Sequence, residues 1–164
     1  MMRSFVTLLA TCFVLAAWPV MAQEAGGAAS DTNMEILKEK LKADKKLLVA
    51  GNMELTDAEA KKFWPLYESY QKELHELNDR LGHTIAAYAE AYNQGQGTIK
   101  NETAKKLLNE ALAVEEAEVK LKRSYADKIG KELSATKTAR YIQIENKIRA
   151  LIHFELAAQI PLVY

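Results

Sequence analysis

The sequence predicts an all-α fold of four helices with a long central antiparallel hairpin, and three observations carry that prediction. Gly and Pro together number ten in 164 residues, below the roughly 12% of average chains, while Ala, Leu, Glu and Lys abound. Phe63, Tyr67, Tyr70, Leu74, Leu77, Leu81 and Tyr88 recur at spacings of four, three, four, three, four and seven, the seam of a helix packed against a partner. Turn signals are few and fall between such stretches, as in "NQGQG" at 93–97.

The elements follow in order. Met1-Met2-Arg3, an apolar run over residues 5–17 and Val20-Met21-Ala22 match the charged, apolar and small-residue regions of a secretory signal peptide, cleaved after Ala22. An exported, periplasmic protein is therefore expected. No later window offers the roughly 20 consecutive apolar residues of a membrane span. Leu9-Ala10-Thr11-Cys12 matches a lipoprotein box only loosely, since the apolar core continues past Cys12. Cys12 is the single cysteine and leaves with the signal, so the mature chain has no disulfide, thiolate nucleophile or Cys-based metal site. Residues 23–31, "QEAGGAASD", read as a flexible leader. Residues 32–164 form one helical domain with an apolar C-terminal tail.

Within that domain, Thr32 and Glu35 make a capping box for a first helix running through Leu37, Leu41 and Leu48 to Gly51, a suitable left-handed terminator. The second helix starts at Thr56 and carries the seam until residues 93–97. The third rises from about Thr98 through Leu107, Ala111, Val114, Leu121, Tyr125 and Ile129, with Gly130 near its end. The fourth starts at Ser134 and carries Tyr141, Ile144, Ile148, Leu151 and Ile152 on one side, until Pro161 bars continuation.

One element occurs twice: "ELTDAEAKKFW" at 54–64 returns as "ELSATKTARYI" at 132–142, an offset of 78 residues that also aligns Phe63 with Tyr141, Leu66 with Ile144 and Tyr70 with Ile148. In the first copy Leu55 is placed as a hydrophobic staple, Thr56 as the N-cap and Glu59 as the acid of a capping box. In the second, Leu133 and Ser134 persist but Lys137 replaces the acid, so half the box is missing. A helix start is the reading, contributing about 1 kcal/mol per cap.

This repeated element resembles the doubled L-T-x-x-Q motif of the Spy/CpxP family of periplasmic chaperones and stress-sensor accessories. Leu55-Thr56 and Leu133-Ser134 stand where its two motifs would, with Gln replaced by Glu59 and Lys137. The resemblance implies an ATP-independent binder of non-native or partner proteins, built as a cradle-like helical homodimer. On that implication Phe63, Trp64, Tyr67 and Tyr70, grouped around Pro65, are the candidate client groove. A proline inside a helix removes the bond to the carbonyl of Lys61 and kinks the axis. Aromatic residues at seam spacing read first as core, and the groove is the alternative.

His75, Asp79 and His83 stand at i, i+4 and i+8, a column that could hold a divalent metal. The column faces away from the seam among Lys72, Glu76 and Arg80, as a solvated face would, and no metal site is favoured. Glu116 with Lys120, Glu118 with Lys122 and Glu145 with Arg149 read as i, i+4 surface pairs. The sequence carries no Ser-His-acid arrangement, phosphate loop or paired catalytic carboxylates, so a non-enzymatic protein without cofactor is expected. With Arg3 removed, 21 Lys and Arg face 22 Asp and Glu, and the bases form no stripe for nucleic acid.

Overall fold

The computed structural model describes residues 43–163, and these are all-α, with four helices and no strand among the described residues. They are α1 (43–53), α2 (Asp57–Gln94), α3 (Asn101–Gly130) and α4 (Ala135–Gln159). The expected signal peptide, the expected leader and the expected Thr32 start of the first helix lie outside the described residues.

Helix α1 presents Lys45, Val49 and Met53 at i, i+4 and i+8 to the rest of the domain, and Val49 and Met53 are fully buried. The helix does not stop at Gly51. It continues until Met53 is seated in the core, and Glu54, at φ 49°, takes the left-handed turn that glycine was expected to supply. Leu48 and Leu47, by contrast, are exposed.

Helices α2 and α3 form the expected antiparallel hairpin. Arg80 pairs with Glu110 at 2.8 Å and the rings of Tyr70 and Tyr125 lie 5.3 Å apart, so positions advance along one helix as they recede along the other. The turn between them needs its glycines. A Cβ on Gly95 would stand 1.9 Å from the carbonyl oxygen of Thr98, and Gly97 has φ +95°. Thr98 closes this turn by donating its hydroxyl to Gly95 O at 2.7 Å, so α3 begins at Asn101, later than the Thr98 start expected.

The seam is the core. Phe63, Tyr67, Tyr70 and Leu74 of α2 meet Leu121, Tyr125 and Ile129 of α3, with Val49, Met53, Leu133 and Tyr141 completing the cluster. Helix α4 joins it through one fully buried apolar side chain, Tyr141, whose ring meets Phe63 edge-on at 5.1 Å. Its other buried residue is charged. Glu145 is 3% exposed and accepts from Lys45 of α1 at 2.8 Å and from Gln71 of α2 at 2.9 Å. Ile144 and Ile148 are half-buried, but Leu151 and Ile152, expected on the covered side, are exposed.

Candidate functional site

The two copies of the repeated element come together in space. At the start of α2, Thr56 Oγ1 accepts from the amide of Glu59 at 3.3 Å and the Glu59 carboxylate accepts from the amide of Thr56 at 2.8 Å, a complete capping box. At the start of α4, Ser134 Oγ accepts from the amide of Lys137, also at 3.3 Å. Leu55 and Leu133 lie against the core as staples do. The residue that breaks the second box has another partner: Lys137 Nζ reaches Glu59 Oε2 at 2.6 Å and Glu54 O at 2.9 Å. These interactions, with Lys137 first and the Thr56 amide next, hold the Glu59 carboxyl down from its ordinary 4.5 to about 2.

The candidate groove does not survive as a groove. Phe63 is 0%, Tyr67 3% and Tyr70 1% exposed, and Tyr141 of α4 closes over all three with ring centroids 5.1 to 6.2 Å away. Edge-to-face packing of this kind satisfies the rings' quadrupoles and leaves them no surface to offer. Burial pushes the phenols of Tyr67, Tyr70 and Tyr141 well above their ordinary range. Trp64 is half-buried at the edge of the cluster, with Lys46 Nζ 5.2 Å from its ring centroid. Helix α2 runs on through Pro65, whose carbonyl accepts from the hydroxyl of Ser69 at 2.9 Å.

The histidine column does not come together either. His75 Nε2 lies 3.6 Å from Asp79 Oδ2, and all three column residues are exposed. Among the described residues no group of three His, Cys, Asp or Glu side chains could hold a metal ion.

Two expected surface pairs resolve differently. Glu116 does pair with Lys120, at 2.8 Å. Glu118 does meet Lys122, at 3.6 Å, but it is 7% exposed and also bonds Arg149 of α4, which donates to Asn78 of α2 at 2.6 Å. Burial would raise the Glu118 carboxyl, but the bond and charge of Arg149, helped by Lys122, hold it below its ordinary value. Arg149 thus joins three helices, and Glu145 is left to Lys45.

What the domain does offer to a partner is apolar. Leu108, Leu112 and Val119, at spacings of four and seven on one face of α3, are 58%, 52% and 58% exposed. At the end of α4 and beyond it, Leu151, Ile152, Phe154, Leu162 and Val163 are 46% to 73% exposed. The spacing of the α3 residues, and the run "ALIHFELAAQIPLV" with only His153, Glu155 and Gln159 as polar interruptions, were the available signals. Residues of α2 and α3 also line an open cleft of about 750 Å³, among them Arg80, His83, Lys105, Lys106, Glu102 and Glu110. There Arg80 is already taken by Glu110.

Comparison with models of protein families, with curated proteins and with solved structures returned no match.

Proposed function

We propose that this protein is a non-enzymatic, exported helical protein that binds exposed apolar segments of non-native or partner proteins in the periplasm, acting as an ATP-independent chaperone or envelope-stress accessory. The observation that carries the reading is the set of large apolar side chains left in water: Leu108, Leu112 and Val119 on α3, and Leu151, Ile152, Phe154, Leu162 and Val163 on α4 and the tail. Scattered exposed leucines need no explanation, but Leu108, Leu112 and Val119 share one face of α3 and the others follow one another along the end of α4 and the tail, and grouped apolar exposure marks protein contact sites. The binding surface is thereby moved from the Phe63–Tyr70 group to these residues. The doubled cap element supports the family resemblance, and a homodimer in which part of this surface is covered by a second copy belongs to the same reading.

Aggregation of a chemically denatured client, followed by light scattering with and without the protein, tests this. The wild-type chain is expected to suppress aggregation. Leu151→Asp combined with Phe154→Asp is expected to lose most of the suppression while the melting temperature stays within the small change usual for exposed sites. A wild-type protein without effect, or a double variant that protects as well as wild type, overturns the proposal.

A further inference from the structure

The repeat of 78 residues is also a pattern of contacts. Position 59 plus 78 is 137, and Glu59 pairs with Lys137. Position 63 plus 78 is 141, and Phe63 meets Tyr141. Off these self-matched positions, Lys62 pairs with Glu132 at 2.9 Å and Arg140 with Glu54 at 3.3 Å. Lys62 corresponds to Arg140 and Glu54 to Glu132 under the same offset, so residue i of one half contacts j of the other, and j contacts i. That reciprocity defines an isologous, two-fold interface, here formed between α1–α2 and α3–α4 of one chain. Helices α2 and α4 begin at equivalent residues, Asp57 and Ala135.

A residue on a two-fold axis faces its own equivalent. Two glutamates there, as an undegraded capping box in each half would require, would repel at hydrogen-bond distance. We infer that Lys137 is not a decayed cap residue but a specificity determinant: the opposite charges of Glu59 and Lys137 at the pseudo-axis fix the pairing of the two unlike halves and disfavour pairing of either half with its like. Electrostatic complementarity of this kind selects partners chiefly through the cost of the wrong juxtaposition. The lysine adds a second anchor by donating to Glu54 O at 2.9 Å, at the one described residue of the α1–α2 turn with positive φ.

The two accounts of Lys137 predict opposite signs. If the residue were only a lost half-box, Lys137→Glu would complete the box with Ser134 and place a favourable negative charge on the first turn of α4, raising stability. Under the inference it brings two carboxylates together and lowers it. The test is the melting temperature of the full chain for wild type, Lys137→Gln and Lys137→Glu, with Glu59→Lys/Lys137→Glu as the charge-exchanged control. The expected order is wild type above Lys137→Gln above Lys137→Glu, the last lower than wild type by about 3 °C or more. The exchanged pair should lose less than the sum of Lys137→Glu and Glu59→Lys measured singly. Lys137→Glu melting at or above wild type overturns the inference, as does an exchanged pair whose loss equals or exceeds that sum.

Discussion

Glu59 shows how one side chain can serve two helices. Its carboxylate closes the capping box of α2 and receives Lys137 from α4, and the combination holds its pKa at about 2 against an ordinary 4.5. A carboxyl whose folded value is depressed contributes stability that is complete above its unfolded value and is lost as pH falls through the folded one. For Glu59 that window runs from 4.5 down to about 2. Glu59→Gln keeps the shape and the capping geometry but removes the charge. Its melting temperature should trail wild type by a constant margin above pH 4.5, and the margin should close as pH approaches 2. Thermal unfolding of the two proteins across that range checks it; a margin that persists unchanged at the acid end would mean that the interaction does not depend on the ionised carboxylate. The cap itself was legible in the sequence because it is a local event, decided by Thr56 and Glu59 three residues apart. The Lys137 contact was not, because its partner is 78 residues away and nothing within four residues of Lys137 points to it.

At the scale of elements, the same distinction separates what periodicity reveals from what it hides. The α2 seam and the glycine turn could be placed from spacing alone, since a stripe at spacings of three and four with polar neighbours has one face to bury. Helix α4 is different. Apolar residues occur all around it, from Ile142 and Ile144 to Leu151, Ile152 and Phe154, so the pattern does not say which side is covered, and Leu151 and Ile152 fall on the exposed one. The acids mislead for a related reason. Glu118 and Glu145 each have a base four residues on, which is the signature of a solvated pair, and only the arrival of Arg149 and Lys45 from other directions makes them buried. The Glu118–Arg149 pair, with side chains 10% and 12% exposed, is therefore a sensitive point. Removing Glu118 leaves the Arg149 guanidinium with only the neutral Asn78 Oδ1, so Glu118→Ala should cost about 3–5 kcal/mol, whereas Arg149→Ala leaves Glu118 with Lys122 at 3.6 Å and should cost less. Replacing both at once by apolar residues, as in Glu118→Leu with Arg149→Met, should be close to neutral. Urea denaturation of the three variants measures this. A Glu118→Ala substitution that costs under about 1 kcal/mol would show the pair to be solvated after all.

Along α4, polar cross-links and apolar exposure are segregated. Around the starts of α2 and α4, Glu59–Lys137, Lys62–Glu132 and Arg140–Glu54 join the halves, and Lys45–Glu145 and Glu118–Arg149 follow along α4. Past Arg149, α4 has no ion pair among the described residues, and its side chains are mostly in water. An apolar segment such as Ile160, Leu162 and Val163 invites aggregation when uncovered, which predicts that it folds back onto apolar surface of the same chain or of a dimer mate. Within the chain this is met only in part. Ile160 is half-buried and Tyr88 Oη donates to Pro161 O at 2.7 Å, but Leu162 and Val163 are 73% and 48% exposed. Truncation after Gln159 would then remove one hydrogen bond, worth about 1 kcal/mol net, and a fraction of the roughly 1.5–3 kcal/mol that a fully buried Ile contributes. The expected loss is about 1–2 kcal/mol in place of the several that full burial would give, accompanied by weaker protection of a denatured client, since Leu162 and Val163 leave the exposed apolar set. Unfolding and light scattering on the same truncated protein, at two protein concentrations, separate the alternatives. A loss of several kcal/mol that grows with protein concentration would place the tail against a second copy, and an unchanged protective effect would remove it from the binding surface.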